Sequence, residues 1–353
     1  MAFSAITKPS LHFNSITWSG NDASPRAMTG VGFQPDLCWS KTRGSAKSHQ
    51  LIDSARGVTK TLSTNTDSAE GSSYGNGFLQ SFDSDGFTSI AGSSATTNWN
   101  GNGLTYVGWN WKAGGTGSSN SDGSTTATIS ADTTVGFSIV SWTGTGSATT
   151  LGHGLSATPQ VILVKNRSEV YGWQMYHPGL GGNNKYISIN STDAVATDTA
   201  SWNNTAPTSS VFSVGASDAN NKNTNNIIAY CYAEKKGYSK FGSYIGNGNA
   251  NGTFVYTGFK PAWLLYKNIT SASQWRLYDS SRNTFNPVTR SFRANSTNAE
   301  ATGSSAIVDF LSNGFKQKSG NYTDSNQSGH TYIYMTFAEH PFVGDGTNPV
   351  TAR

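Results

Sequence analysis

Gly258-Phe259-Lys260-Pro261-Ala262-Trp263-Leu264-Leu265-Tyr266-Lys267 reads as a turn, a proline and a continuous apolar run, followed by Trp275-Arg276-Leu277-Tyr278-Asp279. A four-residue apolar run bounded by turn chemistry predicts a strand buried on both faces or inside a sandwich. The pattern occurs twice more. Gly32-Phe33-Gln34-Pro35 leads to Lys41 and His49-Gln50-Leu51-Ile52-Asp53, and Gly154 through Pro159 leads to Lys165 and Trp173-Gln174-Met175-Tyr176-His177. In every copy the proline precedes the lysine by 6 residues and the Asp or His by 18. Two spacings held three times are the mark of internal repetition.

The repeat extends both ways. Upstream lie Phe13-Asn14-Ser15-Ile16-Thr17-Trp18, Phe137-Ser138-Ile139-Val140-Ser141-Trp142 and Phe241-Gly242-Ser243-Tyr244, starting 22, 22 and 20 residues before the proline. Downstream lie Tyr106 to Trp111, Ile227 to Tyr232 and Tyr332 to Phe337. Each copy is therefore of ordinary domain size and long enough to bury a core of its own.

Only 12% of the 353 residues are charged, about half the usual share. Gly, Ser, Thr and Asn fill the difference, while 42 aromatic residues in strand-like runs argue against disorder. A net charge of +4 with no Lys/Arg stripe speaks against nucleic acid as a partner. No apolar run is long enough for a membrane span, and Met1 to Leu11 does not read as a signal peptide. Cys38 and Cys231 occupy different places in their copies, which favours two buried small side chains over a disulfide.

β-Branched and aromatic runs, Asp85-Gly86 and Asn313-Gly314 hairpin signals, and the lack of a sustained helical period predict an all-β chain. We expect three related β-sandwich, jelly-roll-like modules: residues 1–112, 125–236 and 237–353, the last with a short C-terminal tail. Residues 113–124 read as a flexible Gly/Ser-rich linker, whereas Lys235-Lys236-Gly237 makes a tighter junction. The second and third modules are thus expected to pack more rigidly with each other than either does with the first.

Asp53-Ser54-Ala55-Arg56 and Asp279-Ser280-Ser281-Arg282 place a guanidinium three residues after a carboxylate; the second copy has His177-Pro178-Gly179-Leu180 instead. A turn capped by the aspartate is favoured over a catalytic pair. Lys41, Lys165 and Lys267 read as solvated strand ends, with pairing to a neighbouring module or subunit as the alternative. The six histidines show no ligand spacing, and Asp83 with Asp85 lacks the further carboxylates of a calcium loop, so neither metal nor cofactor is expected. No nucleophile elbow or phosphate loop occurs, which makes an enzyme the weaker hypothesis. Tyr74, Trp99 and Trp202 sit among amides and hydroxyls in polar loops and are candidate ligand-binding residues, since an aromatic face ringed by amides suits a sugar. Anchoring of the loops by these rings is the competing reading.

The opening Phe-x-x-x-x-Trp/Tyr, the Gly-Phe-x-Pro segment, the Lys-x-Arg step, the Asp-Ser-x-Arg turn and Gly237-Tyr238-Ser239-Lys240-Phe241-Gly242 resemble a repeat family of virion proteins from tailed phages of marine bacteria and cyanobacteria. The resemblance spans nearly the whole chain and supplies no catalytic residues. It implies a structural protein on the virion surface, assembled in the host cytoplasm: a tail-fibre or appendage component that contacts the host, with a surface glycan as a possible ligand. Capsid decoration is the alternative reading, and a polysaccharide depolymerase a third. Other virion proteins are the expected partners, with Met1 to Phe13 a candidate docking segment and a homotrimer the favoured assembly.

Overall fold

Alternation along the apolar runs decides where the cores lie. In the computed structural model, which describes residues 6–72, 74–92, 98–303 and 305–341, the chain is nearly all β. The first module contains β1 (Phe13–Ser19), β2 (Arg26–Met28), β3 (Leu37–Thr42), β4 (Gln50–Asp53), β5 (Phe78–Asp83), β6 (Gly86–Ile90) and β7 (Thr105–Trp111). One antiparallel sheet has the order β1-β7-β3-β4, and a second, β2-β6-β5, covers one of its faces.

The second module follows with β8 (Ser118–Asn120), β9 (Ala127–Asp132), β10 (Phe137–Thr143), β11 (Thr149–Gly152), β12 (Val161–Asn166), β13 (Gln174–Tyr176), β14 (Lys185–Tyr186), β15 (Ala196–Thr197), β16 (Val211–Val214) and β17 (Asn226–Tyr232). Its main sheet runs β13-β12-β17-β10-β9-β8, and β11-β16 forms the cover with the one-turn helix Thr199–Trp202. The third has β18 (Ser239–Ile245), β19 (Phe254–Tyr256), β20 (Phe259–Asn268), β21 (Arg276–Asp279), β22 (Arg290–Arg293), β23 (Ala301–Thr302), β24 (Val308–Leu311), β25 (Gly314–Gln317) and β26 (Thr331–Pro341). Its sheets run β18-β26-β20-β21-β22-β23 and β19-β25-β24. The Asp85-Gly86 and Asn313-Gly314 turns close the β5–β6 and β24–β25 hairpins as their chemistry predicts.

The strand registers correct one detail of the repeat. Phe13 pairs with Trp111, Phe137 with Tyr232, and Ser239, not Phe241, with Phe337. Ser239 lies 22 residues before Pro261, so the spacing is uniform after all, and a buried serine replaces the aromatic in the third copy.

Each main sheet is buried on both faces. Cys38, Ile162 and Leu264 point into three separate sandwich cores. Their neighbours Leu37 and Trp39, Val161 and Leu163, and Trp263 and Leu265 point the other way, into a single core shared by all three modules. The three main sheets therefore stand around a common axis. Two layers around that axis each combine one indole with two aliphatic side chains: Leu37, Val161 and Trp263 in one, Trp39, Leu163 and Leu265 in the next. Such volume balancing fills the centre, leaving a void of only about 20 Å³.

Two expectations are corrected by this arrangement. Residues 113–124 are not a free linker: Ser118–Asn120 add to the edge of the second main sheet against Ala127–Ile129, and the Ser124 hydroxyl bonds the threonines of β11. A Gly/Ser composition permits flexibility, but a sheet edge supplies the partners that this backbone needs. Nor does the first module stand apart, since it contributes three tryptophans to the shared core. The C-terminal tail from residue 342, and residues 1–5 of the candidate docking segment, lie outside the described residues.

Candidate functional site

The residues that repeat in sequence meet at the three module junctions. Each module passes the turn after β4, β13 or β21, and the loop beyond, to the module ahead in the ring: first to second, second to third, third to first. The backbone shows this directly, with amides of Glu70, Val195 and Glu300 donating to the carbonyls of Arg167, Ile269 and Arg43. Those acceptors all lie two residues beyond the repeated lysine.

The lysines are the second contact. Lys41, Lys165 and Lys267 are fully buried, which corrects the expectation of solvated strand ends. Each Nζ donates to the carbonyl of the next residue in its own strand, Thr42, Asn166 or Asn268. Each also donates to a carbonyl of the neighbouring module's loop, at 3.2 Å for Thr297, 3.1 Å for Asp67 and 3.0 Å for Thr192. An ammonium has three donors on a flexible stem, which suits carbonyls converging from two chain segments. Burial draws the Lys41 ammonium down to about 7, helped by the charges of Arg282 and Lys47, and draws Lys165 and Lys267 down to about 8.

A ring N–H makes the third contact. The Trp173 and Trp275 indoles donate to Ser63 and Ser188 carbonyls, both at 2.9 Å. His49 replaces tryptophan in the first module. Its Nδ1 accepts from Trp39 Nε1, which leaves Nε2–H to donate to the Arg293 carbonyl at 3.1 Å. Burial holds this imidazole well below its ordinary value, so it is neutral, as that tautomer requires.

The Asp-Arg turns complete two junctions. Asp53 accepts from Arg56 of its own turn and, at 2.7 Å, from the Tyr230 hydroxyl of the second module. Asp279 likewise accepts from Arg282 and, at 2.9 Å, from Trp109 Nε1 of the first module. Glu70 bridges Arg56 to Arg167, and Glu300 bridges Arg282 to Arg43. Burial pushes the Glu70 and Glu300 carboxyls up, but their arginine partners outweigh it and hold both below the usual range. The turn reading of these motifs is therefore the one the geometry carries, extended by a role between modules.

The junction from second to third module lacks every one of these charges. His177, Leu180, Val195, Ile269 and Met335 stand where the first-to-second junction has Asp53, Arg56, Glu70, Arg167 and Tyr230. Met335 has no proton to donate, so an aspartate facing it would be buried with one partner fewer. His177 turns instead to the backbone, Nδ1 accepting from the Gly179 amide and Nε2–H donating to the Tyr334 carbonyl at 3.1 Å. Burial draws its imidazole down to about 4, so it too is neutral.

The aromatic candidates fare differently. Trp99 is fully buried in the first sandwich core beside Phe87, and Trp202 is buried beside Tyr176 with its indole donating to the Lys185 carbonyl. Neither ring offers a face to a ligand, and both anchor their loops; the ligand-binding assignment is corrected for these two. The Tyr74 side chain lies outside the described residues. Cys38 and Cys231 are free thiols in separate cores. Asp83 accepts from Ser81 and Thr88, and Asp85 from the Gly30 and Gly32 amides, so both carboxylates serve turns. Among the described residues no cluster of three or more metal-ligating side chains occurs.

One end of the ring, where β1, β3, β18 and β20 begin, is open to a ligand. Grooves of about 760, 170 and 260 Å³ lie there at the first–second, second–third and third–first junctions. The largest presents His12, Gln34, Lys112 and Asp132, and the smallest presents Glu234, Lys240 and Tyr256. None of these was legible as a site, because their residues come from segments that meet only when the ring closes.

A family model described as a domain of unknown function (DUF7483) matches residues 8–341. No curated protein and no solved structure matches the chain.

Proposed function

The chain belongs to the DUF7483 family, and from that premise we propose that it is a structural, non-catalytic protein of the surface of a tailed-phage particle, a tail-fibre or appendage component that contacts the host. One observation carries the reading: the repeated polar residues that could have formed a reaction centre are spent on holding three modules rigidly around one core. A molecule built this way presents fixed surfaces. The sparsely charged exterior and the sequence resemblance support a place on a virion, in contact with other virion proteins. Among the described residues, four of the six exposed large apolar side chains, Ile245, Phe254, Tyr256 and Phe285, belong to the third module, which suits contact through that module. Display as a trimer would multiply a weak contact of this kind.

Capsid decoration is the second reading, favoured by the pseudo-threefold ring, which would suit a position of threefold symmetry on a shell. Antibody labelling of intact particles separates the two. Signal on the tail or its appendages is the expected outcome, and signal spread over the head would replace adhesion by decoration. Incubation with host polysaccharide is expected to release no new reducing ends; their appearance would make the protein a depolymerase.

A further inference from the structure

Strands β2, β11 and β19 are equivalent in register, because Met28, Leu151 and Val255 each face the buried phenylalanine of the strand beside them. The residues on either side point outward. They are the exposed Ala27 and Thr29 in the first module, Thr150 and Gly152 in the second, where Ser124 and Asn120 cover them, but Phe254 and Tyr256 in the third. The fold is thus complete with small or polar residues at both positions. Phe254 is 43% exposed and Tyr256 54% exposed, although nothing in the repeat calls for aromatic rings there.

Each ring lies over a glycine. A Cβ on Gly314 would come within 3.1 Å of the Phe254 ring, and one on Gly258 within 3.6 Å of the Tyr256 hydroxyl. Tyr256 forms one wall of the groove of about 170 Å³ at the second–third junction, with Ser239, Glu234 and Lys240 among the other walls. Lys240 Nζ donates to Glu234 Oε1 at 2.7 Å, so that pair is neutral together and offers both donors and acceptors, with Lys236 a further cation of the lining. That combination fits a neutral ring rimmed with hydroxyls and apolar on one face.

We propose that this groove is a glycan subsite, in which a neutral pyranose stacks on Tyr256, bonds its hydroxyls to Glu234 and Lys240, and continues as a chain past Phe254. The proposal rests on the host-contact reading and names its ligand class. It also moves the aromatic platform from Trp99 and Trp202, which the fold has buried, to a strand that the fold leaves exposed.

Affinity electrophoresis of the full chain through gels containing laminarin, mannan or xylan tests the site. Retardation by at least one polymer is expected. Tyr256→Ala and Phe254→Ala should each weaken it by roughly tenfold, the scale of one lost aromatic contact. Tyr256→Phe should keep most of it, and Phe285→Ala, outside the groove, should leave it unchanged. Binding that survives Tyr256→Ala would overturn the site while leaving host contact intact. A wild-type chain retarded by none of the three polymers would overturn the site as well, and particle labelling would then judge host contact independently. Self-association in sedimentation velocity that is lost on Tyr256→Ala would show that the aromatic face joins copies of the chain, also overturning the proposal.

Discussion

Lys41, Lys165 and Lys267 show how a single residue type can be fixed by a junction and still read as surface. Each is followed by turn residues and lies at the end of an apolar run, which is where a lysine usually snorkels into water. Only the neighbouring module's loop makes the environment dry. The consequence is measurable. An unfolded lysine keeps its proton to about pH 10.4, whereas these release theirs at about 7 to 8 when folded. Above pH 7 the unfolded chain therefore binds more protons than the folded one, and stability rises with pH. Each lysine contributes a slope approaching 1.4 kcal/mol per pH unit once its folded form is neutral. Chemical denaturation between pH 7 and 8.5 should show this increase, and Lys165→Met with Lys267→Met should reduce it to the share of Lys41 while lowering stability throughout. A wild-type profile that is flat or falling in that window would mean the ammonium groups are solvated. The window ends near pH 8.5, where Cys38 and Cys231, whose thiols burial holds up in the fold, begin to ionise once unfolded and, with the tyrosines above them, reverse the trend.

At the scale of the turn and strand, charges are present or absent as sets. The Asp-Arg-Glu-Arg chain occurs at two junctions, each time facing a Tyr or Trp that can donate, and is replaced wholesale by His, Leu, Val, Ile and Met at the third. Breaking one member strands its partner in a dry environment, while exchanging all of them does not. Asp279→Ala should accordingly cost about 3–5 kcal/mol in denaturant unfolding, because Arg282 stays buried beside Trp109. Installing the apolar set at the same junction (Arg43→Ile, Trp109→Met, Asp279→His, Arg282→Leu and Glu300→Val) should recover most of that loss. A quintuple variant less stable than the single one would show that the set is not an exchangeable unit. Much of this level was legible: the strands, the hairpins and the capped turns follow from local chemistry. The glutamates were not, since Glu70 and Glu300 lie 17 and 21 residues after their aspartates and no fixed spacing marks them. Trp99 and Trp202 misled for a related reason, because polar neighbours in sequence say nothing about which way an indole turns.

For the whole molecule, both-face burial of the main sheets was readable from Val161-Ile162-Leu163-Val164, but not what covers the second face. A continuous apolar run fits a sandwich core and a module interface equally well. The answer came from the ring, in which Trp39, Trp111 and Trp263 meet residues far away in sequence. This central core is the largest of the four apolar clusters among the described residues, so no module could leave the ring without exposing one face of its main sheet. The three modules should therefore melt together. Calorimetry is expected to give one transition, with matching calorimetric and van't Hoff enthalpies. Asp279→Ala, which weakens only the third-to-first junction, should lower that whole transition instead of splitting it. Two or three resolved transitions in the wild type would mean that each sandwich stands on its own core, and that the ring is an association of finished domains. A single transition would make the repeats parts of one folding unit, because only the closed ring satisfies the second face of every sheet.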